Sequence, residues 1–408
     1  MAEAHTIWFV SKYISAARHG FESRLFAIAK EMKAAGRNPI IISSDSNHTV
    51  TFPERRELYI REVVDGCDTC WIRTLKYRTS VSLRRVLSWL DFELKLFLMH
   101  KGSLPRPDVI VVSSLSLLTI LNGLLLRRRY DCRLVFEVRD IWPLTLIEEG
   151  GYSKRNPLVR MLAWVERLGY RRSDCVVGTM PNLAEHVIKV AGPGIRCECI
   201  PFGFDPAFFE KREPLPPGYF ESRVPPAKFV IGYAGSIGLT NALETILACA
   251  REMVDDDRFF FLFVGKGDMF DRYAAETADL KNVAFAPKVP REQVQDLLGR
   301  CDLLYFAVYD SLVWRYGLSL NKLIDYMMAA KPIVASYSGF PSMLNESGCG
   351  VFVPAGGVRD LIAALRAMAA RSADELQGMG AAGQRWLLAN RPWRVIARQY
   401  MDLCDSLQ

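Results

Sequence analysis

The sequence predicts an α/β protein with two Rossmann-like, doubly wound parallel-sheet domains facing a cleft, and three observations predict it. The chain has 408 residues, whereas single hydrophobic cores stop growing near ~250–300. Both halves alternate short β-branched or apolar runs with stretches of helical periodicity, the pattern of a parallel sheet covered on both faces. Between the halves, residues 206 to 226 hold Pro206, Pro214, Pro216, Pro217, Pro225, Pro226 and Gly218, a composition that admits no regular element. We read 206–226 as a linker between a first domain, 1–205, and a second, 227–384.

In the first domain the spacing predicts strands at Thr6 to Val10, Pro39 to Ser43, Val109 to Ser113 and Leu134 to Val138, with helices at about Phe21 to Ala35 and Leu115 to Arg129. The second domain repeats the pattern with strands at Phe229 to Tyr233, Phe259 to Val264, Val283 to Phe285, Leu303 to Ala307 and Ile333 to Ala335. Its helices are expected at Asn241 to Met253, Met269 to Leu280, Arg291 to Gly299 and Leu320 to Ala329. The last segment, Gln384 to Leu407, is helical in pattern, broken at Pro392 and anchored by Trp386 and Trp393. Residues 81 to 99 form one further helix. Leu83, Val86, Leu87, Leu90, Leu94, Phe97 and Leu98 make a stripe, Trp89, Phe92, Leu96 and Met99 widen it, and Arg84, Arg85 and Lys95 lie on the remaining face or its edges. Two readings stand: a helix lying on a membrane surface, or one buried between the sheet and its neighbours.

Composition bounds the rest. Half the residues are hydrophobic and 24% are charged, the balance of a globular protein. The longest apolar stretch, Leu115 to Leu126, is interrupted by Ser116, Thr119, Asn122 and Gly123 and falls short of the ~20 residues that cross a bilayer. With no secretory leader pattern, the expected compartment is the cytosol. There the ten cysteines stay reduced. Cys67-Asp-Thr-Cys70 has the spacing of a zinc knuckle but no second Cys or His pair, so no metal site is expected. Residues 1–200 carry 30 Lys/Arg against 21 Asp/Glu, and residues 201–408 carry 22 against 24. The first half is the basic one, which favours an anionic partner: a membrane surface, a phosphate-bearing acceptor or nucleic acid. The basic residues are not interleaved with aromatics in a recognisable module, which argues against nucleic acid.

Three motifs carry chemistry. Gly232-Tyr-Ala-Gly235-Ser236-Ile-Gly238 follows a strand and precedes a helix expected to start at Asn241, so backbone and helix dipole both suit a phosphate; glycine turns also serve packing alone. Val264-Gly265-Lys266-Gly267-Asp268 is a second such turn, whose glycines leave room and whose Lys266 can reach a diphosphate. The third is Ser319 to Val334, with Asn321, Lys322 and Asp325 in its helix. Asp325 suits ribose hydroxyls, and Lys322, three residues earlier, shares its face and suits phosphate; the alternative is a surface ion pair.

These motifs, in this order, resemble the second domain of the retaining GT-B glycosyltransferases of family 4, in particular the branch that builds bacterial O-antigen and capsular polysaccharides. The Gly235 to Asn241 turn resembles the family's donor-phosphate loop. Val264 to Gly267, Asn282-Val283 and Pro287-Lys288-Val289 resemble its valine-glycine turn and base-binding loop, and Asp325 before Ala330-Lys331-Pro332 resembles its carboxylate before a "GKP" turn. In the first domain His19-Gly20-Phe21-Glu22 resembles the Gly-Gly-x-Glu loop, Arg139-Asp140-Ile-Trp142-Pro143 the "RDxWP" run, and Ile200 to Asp205 the "PNGxD" segment. The sequence departs from the family at two places. Gly317 stands where the first acid of the Glu-x7-Glu pair belongs, and the Arg and Lys that hold the donor diphosphate fall near Ser236 and Asn241.

The resemblance implies a GT-B fold, with helix 385–408 completing the acceptor domain, and transfer with retention from a UDP- or GDP-linked sugar. The acceptor it implies is a saccharide linked to a lipid diphosphate, at the inner membrane surface, with no metal or other cofactor. It implies a donor site of Gly235, Ser236, Gly238, Asn241, Gly265, Lys266, Lys288, Val289, Arg315, Asn321, Lys322 and Asp325. Lys322, Arg315 and Lys266 stand in for the missing cations, helped by the helix dipole at Asn241. Lys322 and Asp140 are the candidate catalytic residues. Asp140, just past a strand end, would orient the acceptor hydroxyl or take its proton; an ion pair with Arg139 or a helix cap is the plainer reading. His19, Gly20, Glu22, Arg24, Arg139 and Glu149 are candidates for acceptor or sugar binding, with His19 expected in an exposed turn. Two other classes remain: a GT-B nucleotide-sugar epimerase, which shares the fold, and a non-catalytic, membrane-associated nucleotide-binding protein.

Overall fold

The computed structural model describes residues 5–47, 50–53, 56–77, 82–319 and 321–408; Val81 and Leu320, at the starts of two expected helices, lie outside them. The chain forms two compact units. One is residues 1–203 with 393–408, and the other is residues 204–392.

The first unit is built on an eight-stranded sheet: β1 (Thr6–Val10), β2 (Asn38–Ser44), β3 (Tyr59–Val64), β4 (Cys67–Ile72), β5 (Val109–Ser113), β6 (Arg133–Val138), β7 (Cys175–Gly178) and β8 (Cys197–Cys199). The order is β3-β4-β2-β1-β5-β6-β7-β8. Only β3 is antiparallel, in a hairpin with β4. Its turn is Asp65-Gly66, both at positive φ (48° and 79°), the Asp-Gly signature of a tight hairpin. This hairpin was not anticipated, and it places Cys67 and Cys70, of knuckle spacing, inside the apolar core.

Every residue of β1 and β5 is buried, because helices cover both faces. On one face the helices Arg24–Ala34 and Trp393–Ser406 pack against each other, contributing Phe26, Ile28, Met32, Ile396, Tyr400 and Leu403 to a core with Ile7, Phe9, Ile41 and Val111. On the other the helices Leu83–Leu98, Thr119–Tyr130 and Pro157–Arg172 lie side by side. Helix Thr119–Tyr130 approaches closely because Gly123 has no side chain: a Cβ there would stand 2.7 Å from Val112 Cγ2.

Helix Leu83–Leu98 answers one open question. Its buried residues are Ser88, Phe92 and Leu96, and the apolar stripe faces solvent, with Leu83 84%, Leu94 58%, Phe97 58% and Leu98 64% exposed, and Val86, Leu87 and Leu90 exposed too. Burial between sheet and neighbours is therefore excluded for the stripe. Among the described residues no helix is long and apolar enough to cross a membrane.

The second unit holds a six-stranded, all-parallel sheet: β9 (Phe229–Ser236), β10 (Phe259–Lys266), β11 (Val283–Pro287), β12 (Leu303–Ala307), β13 (Ile333–Ser336) and β14 (Gly350–Val353). The order is β11-β10-β9-β12-β13-β14. The direction of winding reverses between β9 and β12, and a crevice opens at the carboxyl ends of the strands at such a point. Residues 206–226 are not a free tether. Phe209, Leu215 and Val224 are buried, and Leu215 N–H donates to Asp296 Oδ2 at 2.9 Å, so the proline-rich stretch belongs to this unit. The C-terminal helical pattern divides at Pro392 into Ala373–Asn390, in the second unit, and Trp393–Ser406, in the first.

Candidate active site

The carboxyl edge of the second sheet is assembled by two glycine turns that lie in register, Gly235 opposite Gly265 and Ser236 opposite Lys266. Ile237 N–H donates to the Lys266 carbonyl at 2.9 Å and Met269 N–H to the Ile237 carbonyl at 3.1 Å. A side chain at Gly265 would strike the Gly235 carbonyl, and one at Gly267 would strike the Ile237 backbone. These two glycines therefore admit the neighbouring turn. Gly235 itself is open, its nearest neighbour being the Tyr233 hydroxyl, and Ser236 and Lys266 are exposed.

The helix expected at Asn241 begins later. Leu239–Asn241 is a 3-10 turn, Ala242 is left-handed (φ 46°), and the α-helix runs Glu244–Glu252. Its N-terminal dipole therefore does not sit at Asn241. Glu244 occupies that first turn, its carboxylate accepting from the hydroxyls of Tyr273 (2.5 Å) and Tyr309 (3.0 Å).

Asn241 contributes its side chain. Lys322, from helix Asn321–Met328 between β12 and β13, donates from Nζ to Asn241 Oδ1 at 2.5 Å and to the Tyr233 hydroxyl at 3.2 Å. The Tyr233 hydroxyl in turn donates to the Ser236 carbonyl at 2.5 Å. Lys322, 81 residues from Asn241 in sequence, thus meets Ser236 and Asn241 at the β9 edge through Tyr233, which sequence reasoning missed although it lies within the glycine motif. Burial lowers the Lys322 ammonium to about 8. Tyr326, also missed, anchors the same helix: its hydroxyl accepts from Ala234 N–H at 3.1 Å and donates to the Ala234 carbonyl at 3.2 Å.

Lys322 and Asp325 have different partners, and Asp325 takes the ion pair that was the alternative reading. Asp325 is held in a two-pronged ion pair by Arg291, with Nη1 at 2.7 Å from Oδ2 and Nη2 on Oδ1, and the Arg291 guanidinium stacks 5.0 Å from the Phe208 ring centre. Lys288 and Val289 lie in the loop between β11 and Arg291, with Lys288 exposed. Arg315 is exposed on the 3-10 turn Trp314–Tyr316, and Asn321 is the first, exposed, residue of its helix. Gly238 packs beside Asp268, whose Oδ1 would lie 2.9 Å from an added Cβ.

In the first unit, Asp140 follows β6 and its side chain is exposed. The surrounding protein pushes its carboxyl pKa up, and the charges of Arg139 and then Arg85 oppose this. Glu149, at the solvent-facing end of helix Leu144–Glu148, has its carboxyl pKa raised by partial shielding from water and then by the charge of Asp140. Glu149 therefore senses the charge of Asp140. Glu22 pairs with Lys30 at 2.9 Å, and Gly20 closes the preceding turn at φ 103°.

Two expected acceptor residues belong to the core instead. His19 is buried, its Nδ1 accepting from Ala16 N–H at 3.3 Å and its ring packed on Phe52 and Trp71; it is not in an exposed turn. Arg24 is wholly buried. Its Nε meets Glu137 Oε1 at 2.9 Å, and its other nitrogens reach the carbonyls of Ile200 and Pro201. Tyr400 donates to the same Glu137 oxygen at 2.6 Å. Burial opposes ionisation of Glu137, but Arg24 and Arg139 outweigh it and hold the carboxyl below its ordinary range. This network fastens the C-terminal helix to β6. The Arg139 guanidinium lies 5.7 Å from the Phe202 ring centre, beside this network.

Comparison with known proteins agrees with both sheets. Residues 18–203 match the model for the glycosyl transferase 4-like domain, and residues 228–371 match glycosyl transferases group 1. A search of curated proteins found no match. Among solved structures the chain is similar to sucrose-phosphate synthase from Thermosynechococcus elongatus (16% identity, 99% of each chain, TM-score 0.70). It is similar to an E. coli trehalose-6-phosphate structure bound with UDP-2-fluoro glucose (13%, 98% of each chain, 0.71). It is also similar to HepE of Anabaena in complex with UDP and glucose (13%, 98% of this chain and 100% of that one, 0.62). At these identities the structures speak for the fold alone. Together the two matched models span most of the chain, and its two domains are those of the GT-B glycosyltransferases.

Proposed function

We propose that the protein transfers a sugar, with retention, from a UDP- or GDP-linked donor to a saccharide carried on a lipid diphosphate, in the assembly of a bacterial cell-surface polysaccharide. The first domain binds the acceptor and the second the donor. The observation that carries this reading is the Lys322 cluster: a cation held by Asn241 and Tyr233 at the carboxyl edge of β9, beside the open Gly235 and Ser236. A pyrophosphate leaving group needs such a charge, and fixed charges in a water-poor site act strongly on a departing anion. The solved structures that carry UDP or a UDP-sugar on the same fold favour a nucleotide-sugar donor.

In this mechanism the acceptor oxygen bonds to the anomeric carbon on the face from which the diphosphate leaves. The bond from that carbon to the diphosphate oxygen breaks, and the acceptor proton passes to the leaving phosphate. Lys322 neutralises that phosphate, and Asp140 orients the acceptor hydroxyl. Lys266, Lys288 and Arg315, exposed near the strand ends, supply further positive charge, and no metal or other cofactor takes part. The resemblance of Arg139-Asp140-Ile-Trp142-Pro143 to the O-antigen branch supports the polysaccharide role. We place the protein in the cytoplasm, resting on the inner membrane through helix Leu83–Leu98. Its exposed stripe favours this, as do Leu158, Met161 and Trp164, exposed on helix Pro157–Arg172 of the same layer.

The test is a mass-spectrometric screen of UDP- and GDP-sugars against lipid-diphosphate acceptors, with the anomeric configuration of the product read by NMR. A product of retained configuration is expected. An epimerised donor formed without acceptor would replace this reading with an epimerase, and binding without turnover would leave a nucleotide-binding protein.

A further inference from the structure

Helix Leu83–Leu98 presents two different surfaces. One is the exposed stripe. The other carries Arg85 and Trp89, one turn apart and therefore neighbours on the helix, turned toward the loop that follows β1. There the Tyr13 hydroxyl accepts from Trp89 Nε1 at 2.6 Å and from Arg85 Nε at 3.2 Å. The Arg85 guanidinium lies 5.0 Å from the Trp89 ring centre and 5.9 Å from that of Tyr13, which fixes the cation over aromatic faces. Trp89 meets Trp142 edge-on, with ring centres 6.1 Å apart. Trp142 stands two residues after Asp140, and Asp140 feels the charge of Arg85. A cation, two half-buried indoles and a carboxylate are thus gathered at the carboxyl edge of the first sheet, at the foot of the exposed Leu83, Val86, Leu87 and Leu90.

We propose that Arg85, on its bed of Tyr13 and Trp89, binds the phosphate of an amphiphilic acceptor. In this arrangement the acceptor sugar lies between Trp142 and Asp140, and the lipid chain leaves along Leu83, Val86, Leu87 and Leu90. The inference rests on the reading that this strand edge receives the acceptor. The chemistry fits the order of the groups. A guanidinium pre-oriented by stacking binds a phosphate with little further ordering, an indole wall covers the apolar face of a sugar ring, and the apolar stripe begins on the same helix. Helix Leu83–Leu98 then serves as a substrate subsite at its N-terminal half as well as a membrane contact.

The experiment uses the full chain and two water-soluble acceptors carrying the same sugar: a short-chain prenyl diphosphate and a neutral alkyl glycoside. Arg85→Gln should raise KM for the diphosphate acceptor at least about tenfold, the loss of a charge-assisted hydrogen bond. KM for the donor and KM for the neutral glycoside should not change. It should also move the acidic limb of the rate profile to higher pH, because Arg85 holds the Asp140 carboxyl down. An equal rise for both acceptors, or none for the diphosphate, overturns the proposal and leaves Arg85 a brace for Tyr13. A Leu94→Gln, Phe97→Gln, Leu98→Gln variant should lose vesicle binding yet keep wild-type KM for the short-chain acceptor, separating membrane contact from acceptor recognition. If the wild type transfers sugar to neither acceptor, the transferase reading fails by itself. Calorimetry with the short-chain prenyl diphosphate then decides the subsite: binding that Arg85→Gln weakens upholds it, and absence of binding to the wild type removes it.

Discussion

Replacing Lys322 with Met removes the cation of the donor site while keeping most of its volume. The ammonium is buried, which brings its pKa down to about 8. In the free protein about nine in ten copies are therefore charged at pH 7 and about one in ten at pH 9. If the charge holds the donor diphosphate, the wild type binds UDP about tenfold more weakly at pH 9 than at pH 7, roughly 1.4 kcal/mol. Binding near pH 8 takes up protons, because the bound anion favours the ammonium. Lys322→Met loses a charge-assisted hydrogen bond, about 1.5–3 kcal/mol, and its affinity becomes flat over the same pH range. The stability change has the opposite sign. The folded pKa lies below the unfolded value, so the charged lysine weighs against the fold; that cost is complete below pH about 8 and vanishes above the unfolded pKa near ~10.4. The Met variant should therefore be at least as stable as the wild type at pH 7 while binding UDP less well. Calorimetric titrations at pH 7, 8 and 9, in buffers of different ionisation enthalpy, measure affinity and proton uptake together. A Met variant that keeps the wild-type pH slope refutes the phosphate role.

The buried network predicts that Glu137→Gln strands the Arg24 charge and costs about 3–5 kcal/mol, read from urea unfolding; a loss under about 1 kcal/mol would show that the pair is dispensable. In the wild type the folded carboxyl is held below its unfolded pKa, so this stability is present above the unfolded value and drains away as pH falls through the folded one. Asp140→Asn should lower kcat strongly with donor affinity unchanged, and the wild-type rate should fall at a pH above the ordinary carboxylate range, since the Asp140 pKa is raised; wild-type turnover in the variant would remove Asp140 from catalysis. In liposome flotation the protein should bind anionic vesicles in a salt-sensitive way. Its persistence in the soluble fraction at low salt, whatever the lipid, would leave the exposed stripe without a membrane role.

The two α/β domains, most of their long strands and the glycine turns are legible in the sequence alone, because alternation of apolar runs with helical periods is a local signal. Asp65-Gly66 is likewise a local turn signal, and it closes the β3-β4 hairpin. The alternation of Cys197-Glu-Cys199 reads as a strand and is β8, whereas β7 and β14 span four residues each, little room to display a period. What the site residues touch is set by contacts between distant segments. Lys322 and Asp325 share helical spacing, yet their side chains reach partners on different elements, Asn241 and Tyr233 for one and Arg291 for the other. Arg24 sits in a loop motif that resembles an acceptor site, but Glu137 and Tyr400, 113 residues away and at the far end of the chain, capture it in the core. Gly265 is required by the Gly235 carbonyl on the adjacent strand, a close approach that the sequence does not display. The stripe on Leu83–Leu98 was visible in the sequence, but whether it is covered depends on which elements pack beside it. Periodicity reports how one element is patterned; partners for a charge, and cover for an apolar face, come from segments distant in sequence that only the folded chain brings together.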